Sequence, residues 1–197
     1  MRPAAIILAG GRSRRMGVPK HSVSLGGRTL VERVLDAVAP FPSVVVGPLE
    51  LGAAVSRHPQ ASLTRERPAY SGPVAAIAAG VDELDRRRIG ADTALILSCD
   101  LAYPVGALGL LLEAAHTHPD AVVLSDCGRP QWLCGLYLLD PIRDAVARLR
   151  STSSLDSARV STLCEGLALR MLDDAAGLSF DIDTPADLAA AISEATG

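Results

Sequence analysis

The alternation of short apolar runs with longer amphipathic segments is the feature that most constrains the fold of this chain. The run at residues 4–9 is apolar throughout, which is typical of a strand buried on both faces. Other segments repeat apolar side chains at helical spacing, as Val31, Val34 and Leu35 do. Strands that alternate with helices predict an α/β, Rossmann-like fold with one mostly parallel sheet and helices on both faces.

The same patterns predict where the elements lie. Strands are expected at residues 4–9, 43–46, 61–64, 93–99, 121–125 and 133–139. Helices are expected at residues 29–39, after Gly72-Pro73, at 104–116, from Pro141, at 154–166 and from Pro185. The last helix is the best marked, because Thr184 can cap it and Asp187 suits its positive end. A length of 197 residues favours a single domain over residues 1–197.

Composition excludes several classes of function. The net charge of −3 and an aromatic content of 3% argue against a nucleic-acid surface. No apolar run is long enough to cross a bilayer and no signal-peptide pattern is present, so we expect a cytoplasmic protein without membrane contact. The four cysteines form no C-x-x-C pair and have mostly apolar neighbours, which predicts free, buried thiols.

A glycine pair followed by a cluster of positive charge comes directly after the first strand. The pair is Gly10-Gly11, and the basic residues after it are Arg12, Arg14, Arg15 and Lys20. Lys20 is the only lysine in a chain with 18 arginines, which suggests that a compact, mobile ammonium is needed here and not a planar guanidinium. Glycines let the backbone approach a ligand, and successive N–H groups can hold an anion, so we predict a polyphosphate site.

Two familiar phosphate-binding motifs do not fit this loop. It has no Gly-Lys-Ser/Thr that opens a helix, as a P-loop requires, and it lacks the G-x-G-x-x-G spacing of dinucleotide-binding folds. The second strand runs into Gly47-Pro48 without an acid to hold a ribose. An oxidoreductase is therefore disfavoured.

The loop resembles the signature of the molybdenum cofactor guanylyltransferases, within the Rossmann-like nucleotidyltransferases of the nucleotide-diphospho-sugar transferase type. The matching residues are Leu8-Ala9-Gly10-Gly11-x-Ser13-x-Arg15-Met16-Gly17-x-x-Lys20. Relatives that use CTP tend to have Leu-Ala-Ala-Gly, so the second glycine favours guanine. Further matching segments are residues 66–77, 95–104 and 180–188.

The resemblance implies a set of site residues. Lys20 and Arg15 would be catalytic. Nucleotide contacts are implied at Leu8, Ala9, Gly10, Gly11, Arg12, Lys20, Glu66, Gly72 and Asp100. Asp100 ends an apolar strand and would hold Mg²⁺, the implied cofactor, although by its position alone it could instead cap the helix before Pro104. Asp183 stands where the family usually has Asn, and it either adds a metal ligand or helps to start the last helix.

Three further positions depart from the family pattern. Glu66 stands where Asp is usual, Gly47 where relatives often have a nucleotide-contacting Asn, and Ala102 where a proline is usual. One nucleotide contact is therefore expected to be missing, and the path of the loop after Asp100 is left open. Trp132 could stack on a pterin or pack in the core.

The expected reaction is transfer of GMP from GTP to molybdopterin, or its molybdenum-loaded form, with release of pyrophosphate. The substrates would be GTP and molybdopterin, and transient contacts with molybdenum cofactor enzymes or insertion proteins are expected. The alternatives are a molybdopterin cytidylyltransferase, a sugar-phosphate nucleotidyltransferase, a nucleotide-binding regulator without catalysis, and an adaptor that passes molybdopterin to a partner.

Overall fold

The computed structural model describes residues 1–11, 16–19, 22–117 and 120–196. The strands are β1 (Pro3–Leu8), β2 (Ser24–Leu25), β3 (Arg28–Thr29), β4 (Ser43–Val46), β5 (Ala61–Thr64), β6 (Thr93–Ser98), β7 (Ala121–Asp126), β8 (Arg129–Leu138) and β9 (Leu169–Asp173). The helices are α1 (Leu30–Ala37), α2 (Gly52–Val55), α3 (Pro73–Arg86), α4 (Pro104–Thr117), α5 (Leu139–Thr152), α6 (Val160–Leu163) and α7 (Pro185–Thr196).

Seven of the strands form one sheet in the order β5-β4-β1-β6-β8-β7-β9. Strand β8 runs antiparallel to both of its neighbours, and every other pair is parallel. In register, Ile6 of β1 lies between Val44 of β4 and Ile96 of β6. The predicted fold class, a mostly parallel sheet within an α/β fold, is confirmed.

The central strands are buried on both faces, which explains why β1, β4 and β6 are mainly apolar. Ile6 and Leu8 of β1 face a core closed by α3, α5 and α6. Ala5 and Ile7 face the opposite core, closed by α1, α2 and α4. Period-two alternation therefore sends successive side chains of one strand into two different cores.

A third, smaller cluster lies beside the sheet. It joins the β2–β3 hairpin to α7 through Leu25, Leu30, Ile182 and Ala191, and Ala102 from the loop after β6 packs in the same cluster. This packing brings residues near the C-terminus against the loop that carries Asp100.

Two sequence predictions were wrong in extent. The helix expected at 154–166 covers only Val160–Leu163, because Ser157 has a φ of 59° and the Ser154 hydroxyl accepts the Asp156 N–H at 3.0 Å, which stabilises a turn. Strand β8 begins at Arg129 and not at 133, since Cys127-Gly128, both with positive φ, form a tight hairpin turn.

All four cysteines are free, as predicted, but Cys127 is exposed in that turn and not buried. Burial raises the pKa of Cys164 to about 11 and raises that of Cys134 further. These two thiols are therefore neutral at physiological pH. Within the described ranges, we find no helix with the length and apolar character required to span a bilayer.

Candidate active site

A cavity of about 390 Å³ opens at the carboxyl ends of β1 and β6. The predicted site residues that line it are Leu8, Gly10, Gly11, Glu66, Gly72 and Asp100. They come together because the carboxyl ends of parallel strands meet at one edge of the sheet. Ala9 is buried beside them, and its N–H donates to Val46 O at 2.8 Å.

The two glycines of the pair differ in the space around them. A Cβ added to Gly11 would meet no described atom within 4 Å, and neither glycine has a positive φ. Packing among the described residues therefore does not account for glycine at position 11, whereas close approach by a ligand would. A Cβ on Gly10 would lie 3.4 Å from Glu66 Oε1, so this backbone and the Glu66 carboxylate are in near contact.

Glu66 is a buried acid whose two carboxylate oxygens differ in their hydrogen bonding. The residue is only 4% exposed, and its Oε1 accepts a hydrogen bond from the Tyr70 N–H at 2.8 Å. Within the described part of the chain, Oε2 is buried and has no hydrogen-bond donor. A buried acceptor without a donor is costly, so Oε2 is suited to a donor supplied by a ligand.

The start of α3 forms another wall of the cavity. Gly72 has a φ of 94° and precedes Pro73, the first residue of a 14-residue helix. A side chain at position 72 would be strained, and its Cβ would lie 3.6 Å from the backbone of Ser157. The N–H groups and the dipole at the start of this helix favour negative charge in the cavity.

The departure at Gly47 has a steric explanation. A Cβ there would lie 3.0 Å from both Ala9 Cβ and Leu51 Cδ1. The space that a longer side chain would need is filled by this chain's own packing. The structure thus offers no side-chain contact with a ligand from position 47.

Asp100 lies in the loop that follows β6 and is 3% exposed. The Ser98 hydroxyl donates a hydrogen bond to Asp100 Oδ1. The loop is paired with a distant segment, since Ile182 N donates to Asp100 O at 3.0 Å and Ala102 N donates to Phe180 O at 2.9 Å. Arg33 of α1 adds a brace, because its Nη2 donates to Ala102 O at 2.9 Å. Position 102, where a proline is usual in the family, is thus fixed by hydrogen bonds.

Asp183 follows Ile182 directly, so it lies on the segment paired with the Asp100 loop, but it is not among the cavity-lining residues. Its N–H donates to Asp187 Oδ2 at 3.0 Å, and the Thr184 N–H donates to the same oxygen at 2.7 Å. Thr184 Oγ1 in turn accepts the Asp187 N–H at 3.2 Å. Thr184 and Asp187 therefore cap α7 reciprocally, as the sequence predicted for its start.

The predicted catalytic residues Lys20 and Arg15, together with Arg12 and Arg14, lie outside the described residues. Trp132 is partly buried and packs against the core closed by α3, α5 and α6, while its carbonyl accepts the Tyr137 hydroxyl at 2.7 Å. Its neighbour Leu133 lines the cavity.

Three residues at or near the site were not singled out from the sequence. Tyr70 lies within the recognised segment 66–77, so its position was a usable signal, and it lines the cavity. Ser98 precedes the acid by two residues, which is within reach of a local hydrogen bond. Arg33 gave no signal, because it is 69 residues from the carbonyl that it binds.

The chemistry of the cavity suits a divalent cation of the hard type. Magnesium binds through one or two carboxylates and completes its coordination with substrate phosphates and water. The Asp100 carboxylate is buried and lines the same cavity as Gly10 and Gly11, so it fits that requirement. Among the residues that the structure describes, no group of three or more His, Cys, Asp or Glu side chains could hold a metal.

The model of the MobA-like NTP transferase domain matches residues 5–165. A molybdenum cofactor guanylyltransferase of Rhodobacter capsulatus is 30% identical over 198 residues, covering 97% of this chain and 95% of that protein. One from Sinorhizobium fredii is 33% identical over 124 residues, covering 61% of this chain and just 56% of that relative.

Among solved structures, the molybdopterin-guanine dinucleotide biosynthesis protein A of Archaeoglobus fulgidus superposes with a TM-score of 0.71. It covers 98% of each chain at 24% identity and therefore supports the fold. The extent of the family match carries the classification, and the carboxyl-edge cavity lies within the matched residues. This chain belongs to the family of MobA-like NTP transferase domains and is a nucleotidyltransferase.

Proposed function

We propose that this enzyme transfers GMP from GTP to molybdopterin, or to its molybdenum-loaded form, and releases pyrophosphate. The product is a guanine dinucleotide form of the cofactor. The observation that carries the choice of nucleotide is the buried Glu66 Oε2, which has no donor in the described part of the chain and belongs to a residue of the cavity wall.

Guanine matches Glu66 better than the other bases do. Its N1–H and N2–H donors are adjacent and point the same way, so one carboxylate can accept both, and an ionised carboxylate only accepts. Adenine and cytosine each present a donor beside a ring-nitrogen acceptor, which would face the carboxylate unfavourably. Uracil presents one donor between two acceptors. Glu66 therefore favours GTP over ATP, CTP and UTP.

The triphosphate is assigned to the glycine-lined side of the cavity. The backbone at Gly10 and Gly11 approaches it, and Arg12, Arg15 and Lys20 contribute positive charge from the same loop. Asp100, with Asp183 on the paired segment, would hold Mg²⁺, which neutralises phosphate charge when bound. Lys20 follows the charge that develops between the α-phosphate and the leaving pyrophosphate.

The transfer needs little proton chemistry. A terminal phosphate oxygen of molybdopterin attacks the α-phosphorus, the new P–O bond forms, and the bond to pyrophosphate breaks in line. The attacking phosphate is already ionised at neutral pH, so no general base is required. The protein's contribution is positioning and charge stabilisation.

A pyrophosphate-release assay tests the proposal. It compares GTP, CTP, ATP and UTP, each with and without molybdopterin, in Mg²⁺ and in EDTA. Release that needs GTP, molybdopterin and Mg²⁺ together is expected. Preference for CTP would indicate a cytidylyltransferase, and turnover only with a sugar phosphate would indicate a sugar nucleotidyltransferase. Binding of GTP without release would indicate a regulator.

Variants of Lys20 test the role of the loop. Lys20→Ala should lower the turnover number by about 10²–10³-fold, as loss of one charge-stabilising donor does. Lys20→Arg should also be poor, because a planar fork does not replace a point charge. Arg170→Ala, an exposed arginine on the edge strand β9, is the matched control and should be unchanged. Normal turnover of Lys20→Ala would remove this residue from the mechanism.

A further inference from the structure

Tyr70 is an exposed aromatic side chain on the wall of the candidate active site. The residue is 48% exposed and lines the 390 Å³ cavity together with Gly10 and Glu66. Aromatic residues make up only 3% of this chain. Tyr137 is one of them and is buried in the core, whereas Tyr70 is exposed at the cavity. Tyr70 is therefore not a core residue, and its position on the cavity wall suits a role in ligand binding.

The backbone of Tyr70 is tied to the acid that recognises the base. Its N–H donates to Glu66 Oε1 at 2.8 Å, and its φ is 65°, a region that costs energy for a residue with a Cβ. The hydrogen bond ties residues 66 and 70 together within one short loop, and both residues line the same cavity. A base held at its edge by Glu66 would therefore lie within reach of the Tyr70 ring.

Arg65 fixes the ring from outside the cavity. Its guanidinium carbon lies 5.2 Å from the centroid of the Tyr70 ring, which is within the range of a cation–π contact. Arg65 itself lines a second cavity of about 550 Å³, which Arg67 and Ser71 of the same loop also line. The Arg65–Tyr70 pair thus forms part of the wall between the two cavities, and the cation limits the motion of the ring.

We propose that Tyr70 is the stacking platform for the base of the bound nucleotide, held in place by Arg65. The inference rests on the proposed function only in taking GTP as the nucleotide. Glu66 reads the edge of the base, and Tyr70 covers its flat face. Stacking is tolerant of base identity because every base has a π face, and a purine gains more than a pyrimidine from its larger area.

Binding measurements on three variants test this role. Tyr70→Phe keeps the ring, Tyr70→Ala removes it, and Tyr70→Asn removes it while tolerating the positive φ; all three keep the N–H that binds Glu66. The ligands are GTP, ATP and inorganic tripolyphosphate, which has no base, measured by calorimetry with Mg²⁺. Loss of stacking should lower the affinity for GTP about 10- to 100-fold in Tyr70→Ala and Tyr70→Asn.

The pattern across ligands separates stacking from a structural role. Tyr70→Phe should bind GTP within about twofold of the unaltered enzyme, since a phenyl ring also stacks. The affinity for tripolyphosphate should be the same in all three variants. The affinity for ATP should fall in parallel with that for GTP in the two variants that lack the ring. Unchanged GTP binding in both ring-less variants would overturn the proposal, and so would an equal loss of tripolyphosphate.

Failure of the proposed function gives a different result. If the unaltered enzyme binds GTP but releases no pyrophosphate with molybdopterin, the transfer reaction is wrong and the stacking assignment stands on the binding data. If it binds GTP and the ring-less variants bind equally well, only the stacking assignment fails. If it binds none of the four nucleotides, both are wrong.

Discussion

Two buried carboxylates line the same cavity, and the protein holds them in opposite ways. Glu66 is 4% exposed and is held by its own loop, through the N–H of Tyr70 four residues later. Asp100 is 3% exposed, and its loop is held by segments far away in the sequence, through Arg33 of α1 and Ile182 before α7.

The difference shows what each group is suited to do. A carboxylate held by a backbone N–H of its own loop, with a buried oxygen that lacks a donor among the described residues, is suited to recognising a ligand that supplies the donor. A carboxylate braced from several elements is suited to a task that needs a constant position, such as a metal ligand beside phosphates. The following changes test that division.

The largest effect is expected for Asp100→Asn. Removing the negative charge while keeping the shape should lower turnover by about 10²–10³-fold through loss of the metal ligand. Asp174→Asn is the matched control, since Asp174 is also buried but accepts the Leu178 and Ser179 N–H groups away from the cavity. The control should lower the melting temperature and leave turnover per folded molecule unchanged. If Asp100→Asn kept normal turnover, the assignment of this side of the cavity would fail.

Glu66→Gln should change the choice of base and leave the chemical step intact. Replacing an acceptor oxygen by a donor amide should lower kcat/KM for GTP by about 10- to 100-fold, the value of a hydrogen bond to a charged group. Because inosine triphosphate lacks the N2 donor, its kcat/KM should fall less than that of GTP in this variant. In the control Glu83→Gln, which alters a carboxylate paired with Arg86 outside this cavity, base preference should not change. Equal losses for GTP and inosine triphosphate would contradict recognition by Glu66.

Arg33→Ala should act on the Asp100 side alone. Without the brace the Ala102 carbonyl loses its donor, the loop relaxes, and turnover should fall about tenfold. The Mg²⁺ concentration for half-maximal activity should rise. Arg33→Lys should recover part of the lost turnover. Arg28→Ala, which breaks an exposed pair with Asp36, is the control. An unchanged Mg²⁺ titration would mean that Arg33 does not position Asp100.

The smallest effect is expected for Ser98→Ala. Loss of one hydrogen bond to Asp100 Oδ1 should lower turnover about two- to fivefold, because Asp100 keeps its other constraints. Ser62→Ala on β5, whose hydroxyl reaches Ser43 O at 3.5 Å, is the matched control and should be neutral. A loss as large as that of Asp100→Asn would show that the braced side depends on a single contact.

Much of the fold could be predicted because its signals are local. The strands at 43–46 and 61–64 were placed as the structure has them. The first is a buried, mostly apolar run, which specifies a strand covered on both faces, whereas the second is polar in part and only half-buried. Strand β9 was missed because it is an edge strand with mostly exposed residues. The helix expected at 154–166 failed where Ser157 N donates to Ser71 O at 2.8 Å, a contact that no local pattern indicates.

The candidate site divides in the same way. Gly10, Glu66 and Asp100 were identified from the sequence because each lies just after a strand in a recognisable motif, and the structure brings all three to one cavity. The constraint on Gly47 was not predictable, because it comes from Ala9 and Leu51 packing into the space that a side chain would occupy.

The sequence by itself determined the alternation of the main strands with helices, the edge of the sheet where a ligand site would form, and the kind of charge placed there. These follow from hydrophobic periodicity and from residues adjacent along the chain. Only the tertiary structure decided that Arg33 braces the Asp100 loop, that Glu66 Oε2 is buried without a described donor, and that Arg65 and Tyr70 stand between two cavities. Those relations join elements that meet only when the chain is folded, and their energies depend on distance and burial, which a linear pattern does not contain.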